Sequence, residues 1–266
     1  MNILTKILHH KQLEIQYAKK QRSIRELQSS PFFNRSSISM KHSIQNGSGI
    51  IAEIKRSSPS KGIINANVVV EEVAKGYTKA GASAISVLTD SEFFGGSNAI
   101  LTSVRQEVLT PLLRKEFIID EYQVIETKAI GADAILLIAA ALEPNMLMVL
   151  AQLAQSIGLE VLMEVHNKAE LDSHLNPYLD MVGVNNRNLK TFEVSVQTSK
   201  DLVNDIPNEL VKISESGISN PQTVLELQKV GFQGFLIGEQ FMKQVNPTDA
   251  CSQFIQQIKI ASISNH

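Results

Sequence analysis

Five short segments of this chain carry ammonium groups, carboxylates and small hydrogen-bonding side chains at spacings suited to proton transfer. In Ile50-Ile51-Ala52-Glu53-Ile54-Lys55-Arg56, Glu53 and Lys55 are two residues apart and share one face of an extended strand. Leu113, Lys115 and Phe117 align in the same way, as do Leu162 and Glu164, and then Gly183, Asn185 and Arg187. A fifth segment ends Ile213-Ser214-Glu215-Ser216-Gly217. An ammonium held near a carboxylate can give a proton to one atom of a substrate and take one from another. Charges interleaved with apolar residues are costly unless they are paired. Any one of them could be a structural ion pair. Several strands ending this way point to a site.

Two further segments suit an anion. Ser216-Gly217-Ile218-Ser219 and Ile237-Gly238-Glu239 each follow an apolar run with a glycine, which lets backbone N–H groups approach a ligand without an intervening Cβ. A polar stretch, Arg56-Ser57-Ser58-Pro59-Ser60-Lys61-Gly62, reads either as a lid or as an ordinary surface loop.

The elements that would position these residues alternate along the chain. Apolar runs occur at 50–54, 84–88, 111–113, 134–138, 161–165, 181–184, 211–213 and 234–237. Each precedes a helical pattern, at 70–80, 100–109, 121–130, 144–157, 168–175, 194–203, 221–230 and 247–260. Strands alternating with helices predict a parallel sheet, and eight such units predict a (βα)8 TIM barrel, an α/β fold with its site at the C-terminal ends of the strands. In such barrels the loops after strands 7 and 8 often hold phosphate. The predicted organisation is an N-terminal helical extension at 1–46, packing on the barrel mouth, and a catalytic barrel at 47–266. Residues 2 to about 28 read as one or two amphipathic helices and 29–48 as loop.

Composition excludes several classes. The chain has 266 residues, is 43% hydrophobic and carries a formal net charge of -2, with a pI near 6.3 and a mean hydropathy of -0.01. Disorder, a nucleic-acid partner and a membrane span are all disfavoured. A single cysteine, Cys251, cannot form an internal disulfide, and the six histidines form no ligand-like cluster.

Taken in order, 51–62, Ser86-Val87-Leu88-Thr89-Asp90, Phe94-Gly95-Gly96-Ser97, Leu113–Asp120, Leu162–His166, Gly183–Leu189, Ser214–Ile218 and Leu236–Glu239 resemble the motifs of indole-3-glycerol phosphate synthases. The resemblance spans nearly the whole chain, and its first-strand motif is highly specific. It implies an enzyme of tryptophan biosynthesis that closes the indole ring of a carboxyphenylamino-deoxyribulose phosphate with loss of CO2 and water, using no metal or organic cofactor. It assigns the acid to Lys115, with Glu164 in proton transfer and Lys55 as a second ammonium. Glu53 would keep the lysines charged and oriented, Asn185 would bind a hydroxyl, and Arg187 would support that pocket. Ser58, Ser216, Gly217, Gly238 and the Glu239 N–H are the phosphate candidates, and the Glu239 side chain is expected to point away. Phe94 and Phe117, together with apolar residues of the N-terminal helices, would flank the aromatic ring, and Glu215 joins the substrate-binding set; the N-terminal helix itself reads either as added core capping the barrel or as a roof over the substrate pocket. Lys61 and Asp90 read as rim residues without a role. The resemblance further implies a cytoplasmic monomer acting on a small phosphorylated substrate, with room for association with other enzymes of the pathway.

Three alternatives are weaker. A phosphoribosylanthranilate isomerase would need an Asp and a Cys, and Cys251 sits in the last helix. A Schiff-base aldolase would use Lys55 or Lys115 as nucleophile. A non-catalytic phosphosugar-binding barrel would not need a second ammonium facing a carboxylate.

Overall fold

The computed structural model describes residues 3–58, 62–65, 68–189 and 191–264. Eight parallel strands close into a barrel. In chain order they are β1 (Ile50–Ile54), β2 (Ala84–Leu88), β3 (Leu112–Lys115), β4 (Ala134–Ile138), β5 (Glu160–Val165), β6 (Met181–Asn185), β7 (Val211–Glu215) and β8 (Gly234–Ile237). β1 closes the ring by pairing with both β2 and β8, with Ile51 opposite Ala84 and Leu236. The fold is a TIM barrel.

The barrel helices start where local chemistry allows. Ser97, Asp120, Asn167 and Asn220 cap their helices by accepting a hydrogen bond from a first-turn N–H. Pro144 and Pro221 occupy first-turn positions, where a missing N–H costs nothing. Alternate strand residues then serve two cores. Ile51, Leu113, Leu136, Leu162, Met181 and Ile213 fill the barrel interior. Their neighbours Ile50, Leu112, Ile135, Val161 and Val182, with Phe235 of β8, pack outward against the helices.

The N-terminal segment reaches both ends of the barrel. Helix α1 (Ile3–Gln21) is followed by α2 (Ile24–Gln28), started by a capping box between Ser23 and Glu26. A third helix, α3 (Met40–Asn46), lies in the stretch predicted as loop. Its seven residues offer one apolar pair, Met40 and Ile44, too little for a periodic signal. That pair joins the interior core from the N-terminal end of the strands. There Ser43 Oγ donates to Ser83 O at 2.6 Å, and Lys41 N donates to Glu160 Oε2 at 2.8 Å. Asp133, fully buried, accepts from Arg35, Ile38 N, Arg105 and Leu112 N, tying the segment to the barrel. Removing one partner of such a buried network costs about 3–5 kcal/mol.

Candidate active site

Two-residue steps along each strand convert the apolar interior into a charged mouth. Ile51 leads up to Glu53 and Lys55, Leu113 to Lys115, Leu162 to Glu164, Gly183 to Asn185, and Ile213 to Glu215. In the barrel's register Asn185 lies opposite Glu215 and Glu164 opposite Gly183, and the charged side chains gather at the end where the following loops begin.

Lys115 is the centre. Its Nζ lies 2.6 Å from Glu164 Oε2 and 2.8 Å from Glu215 Oε2. Asn185 Nδ2 donates to the other Glu164 oxygen at 3.1 Å. His166 Nε2 stands 3.5 Å from that same oxygen, and its Nδ1 faces Glu170 at 3.2 Å. Glu215 Oε1 is buried without a hydrogen-bond partner among the described residues.

One ammonium faces two carboxylates, yet the two respond oppositely. Burial raises both. At Glu164 this is outweighed by Lys115 and His166, helped by the hydrogen bond from Asn185, and the carboxyl falls to about 2. At Glu215 burial dominates and Lys115 offsets it only in part; Glu164 and Glu53 add repulsion, and the carboxyl rises to about 7. Burial would lower Lys115, but Glu164, Glu215 and Glu53 hold it well above the ordinary lysine value. The cluster therefore contains a firmly charged ammonium, a firmly ionised carboxylate and a carboxyl that titrates near neutrality. Such separation suits acid–base chemistry.

Lys55 stands apart from this triad, 3.6 Å from Glu53 Oε1 and 5.6 Å from the centre of the Phe94 ring. Phe94 lies 6.1 Å from Phe117, centre to centre. Arg187 N donates to Asn185 Oδ1 at 3.0 Å, which fixes the amide that faces Glu164. The Cα of Gly238 sits against Glu53, whose Oε1 would be 2.5 Å from a Cβ there. Glycine at 238 therefore makes room for a carboxylate, whatever it offers an anion.

After β7 the backbone turns sharply. Ser216 and Gly217 both adopt left-handed conformations, with φ of 66° and 75°. This conformation is unfavourable for serine. Asn186 holds it: Nδ2 donates to Ser216 O and Ser214 Oγ, each at 3.0 Å. Its Oδ1 accepts from Ser199 N at 3.1 Å and Ser199 Oγ at 2.9 Å. Asn186 points outward, 2% exposed, and its spacing carried no catalytic signal.

One cavity of about 200 Å³ gathers Glu53, Lys55, Phe94, Lys115, Phe117, Glu164, Asn185, Arg187, Glu215, Ser216 and Glu239. Gly217 and Gly238 adjoin its lining residues Ser216 and Glu239 in the chain. Lys61 and the side chain of Ser58 lie outside the described residues. Three apolar walls were not among the expected site residues. Leu136, Ile138 and Leu236 line the cavity and lie on the inward face of their strands, a signal that alternation carries. Ile3, Leu4 and Ile7 of α1 line it too, apolar residues of the N-terminal helices as expected. Asp90, read as a rim residue, is 1% exposed and belongs to the lining.

Among the described residues no group of three His, Cys, Asp or Glu side chains is arranged to hold a metal ion. No described helix is long and apolar enough to cross a membrane.

Residues 4–254 match the family model described as Indole-3-glycerol phosphate synthase. An indole-3-glycerol phosphate synthase of Bacteroides thetaiotaomicron is 46% identical over 259 residues, covering 97% of this chain and 99% of the relative. One from Polynucleobacter asymbioticus is 48% identical over 205 residues, covering 77% of each chain. One from Caldanaerobacter subterraneus is 44% identical over 242 residues, covering 91% and 93%. Among solved structures, tryptophan synthase subunit alpha from Legionella pneumophila superposes with a TM-score of 0.59 at 14% identity, over 82% of this chain and 93% of that one. KGPDC from Streptococcus mutans gives 0.60 at 14% identity, over 79% and 97%. At such identities these two structures speak for the barrel alone.

Proposed function

The chain belongs to the indole-3-glycerol phosphate synthase family, and from that premise we propose that it converts 1-(2-carboxyphenylamino)-1-deoxyribulose 5-phosphate to indole-3-glycerol phosphate, CO2 and water. The observation that carries this reading is the Lys115 ammonium, paired with Glu164 at 2.6 Å within a cavity otherwise walled largely by apolar side chains.

In the first step the aromatic carbon that bears the carboxylate attacks the ketone carbon. Lys115 donates its proton to the ketone oxygen as negative charge develops there. Its carboxylate neighbours make it a weak acid at rest, but an alkoxide is a far stronger base and takes the proton as it forms. CO2 then leaves and the ring regains aromaticity. In the last step the new hydroxyl takes a proton from a lysine ammonium and departs as water, pushed by the nitrogen lone pair, and the ring CH2 beside the nitrogen loses one proton, which leaves the indole N–H in place. Glu164, ionised at neutral pH, is the base for that proton. Lys55 is the second cation, near the departing hydroxyl or the substrate carboxylate. Glu53 keeps Lys55 charged and oriented. Asn185 and Arg187 hold the hydroxyl-bearing chain, and Glu215 orients Lys115.

Phe94 and Phe117 flank the anthranilate ring. The phosphate binds at Ser216, Gly217, Gly238, the Glu239 N–H and Ser58. Residues 1–46 are an extension that contributes to the mouth, and 47–266 form the catalytic barrel. The enzyme works as a cytoplasmic monomer on a small phosphorylated substrate, alone or beside other enzymes of its pathway. The test is to add the substrate to the purified chain and follow indole absorbance. One CO2 released per indole formed supports the reading; an unchanged spectrum dismisses it.

A further inference from the structure

Lys11 is 1% exposed, although it lies on a helix. It occupies the buried stripe of α1 between Ile7 and Ile15, where an apolar residue would ordinarily sit. Its Nζ lies 2.7 Å from Glu14 Oε2, 3.0 Å from Asp90 Oδ2 and 3.0 Å from Glu116 Oε1. Glu14 is its own helix neighbour. The other two carboxylates follow β2 and β3, are 1% and 3% exposed, and line the substrate cavity.

Both carboxylates are also held by partners other than Lys11. Asp90 Oδ1 accepts from Phe93 N at 2.7 Å. Glu116 accepts from Phe117 N and from Thr89 Oγ1, each at 2.8 Å. The loops after β2 and β3 therefore present a rigid pair of anions, and Lys11 is the cation between them. Without it, two buried negative charges would border a cavity meant for an anionic substrate. One turn of helix away, Ile7 lines that cavity, with Ile3 and Leu4 beyond it. The far half of α1 has other ties, since Tyr122 Oη donates to Ala18 O and Arg22 O.

We propose that Lys11 is a positioning residue that latches the first half of α1 onto Asp90 and Glu116, seating Ile3, Leu4 and Ile7 as the roof of the substrate pocket. The roles of roof and pocket rest on the ring-closing activity proposed above. The latch itself does not. Loss of Lys11 should weaken substrate binding and leave the acid–base groups alone, because Lys115 and Glu164 do not touch it.

The test compares the full chain with K11M, measuring steady-state kinetics on the carboxyphenylamino-deoxyribulose phosphate and amide hydrogen exchange across α1. The expected result is a KM at least tenfold higher, kcat within about threefold, and amides at 5–12 exchanging at least tenfold faster with the barrel strands unchanged. A residue that only stabilises the fold would lower the melting temperature and leave KM in place. Should K11M fail to fold, K11M/D90N/E116Q removes the stranded charges with the cation and should show the same two effects. A KM within threefold of the parent, or unchanged exchange in α1, in a folded variant overturns the latch. If the unaltered chain forms no indole, the activity reading fails, while the exchange comparison still decides the latch.

Discussion

The Glu215 carboxylate occupies the space that a side chain at Gly183 would need: a Cβ built there overlaps Glu215 Oε1. Gly183 lies one inward step below Asn185, directly across the β6–β7 ladder from Ile213. Glycine there leaves room for a buried carboxyl whose other oxygen holds Lys115. Gly183→Ala should push that carboxyl away from Lys115 and cut kcat by about ten- to a hundredfold, the scale of a lost positioning contact. A circular-dichroism melt beside the kinetics shows whether the fold survives. Unchanged kcat in a folded variant would mean the Lys115–Glu215 contact is dispensable.

Glu215 also predicts a pH effect on stability. Its folded pKa is raised to about 7 by burial and by the neighbouring carboxylates. The folded state therefore binds the proton more tightly than the unfolded chain does. As pH climbs from the ordinary carboxylate range through about 7, stability is lost. Glu215→Gln removes that titration. Its melting temperature should gain on the parent through this window, by an amount equivalent to about 1–3 kcal/mol, and hold a constant gap above it. A gap that does not change with pH would show that Glu215 has no raised pKa.

The Ser216-Gly217 turn predicts a different signature. A Cβ at Gly217 would approach Val194 Cγ1 to 2.6 Å at a φ of 75°. Gly217→Ala must therefore distort the turn that is proposed to present backbone N–H groups to the phosphate. Asn186→Ala releases the same turn from the other side and leaves the buried Ser199 N without its side-chain acceptor, at about 1–3 kcal/mol. In both variants KM should rise about tenfold or more with kcat less affected, because phosphate binding is common to ground and transition states. A fall in kcat at constant KM would move this turn from binding to chemistry.

Much of this site could be read from alternation alone. Glu53 with Lys55, Lys115 with Phe117, and Asn185 with Arg187 share faces because strands repeat every two residues, and closing eight strands brings those faces together. The missing parts depend on contacts that local pattern does not carry. Lys11 looks like an interruption in an apolar stripe until Asp90 and Glu116, far along the chain, are placed against it. Gly238 reads as an approach for an anion and Gly183 as one of the residues aligned with Asn185; that each also makes space for a carboxylate on a neighbouring strand is visible only in the fold. Asn186 faces away from the pocket, and its hold on Ser216 follows only from the meeting of two loops. Helix α3 was too short to announce itself.

The most direct test of the central claim is the turnover of Lys115→Ala on the carboxyphenylamino-deoxyribulose phosphate, measured beside the parent with the fold checked by circular dichroism. With Lys115 as the acid that protonates the ketone oxygen, kcat should fall by about 10²–10⁴-fold in a folded protein. A loss of less than about tenfold would contradict that role.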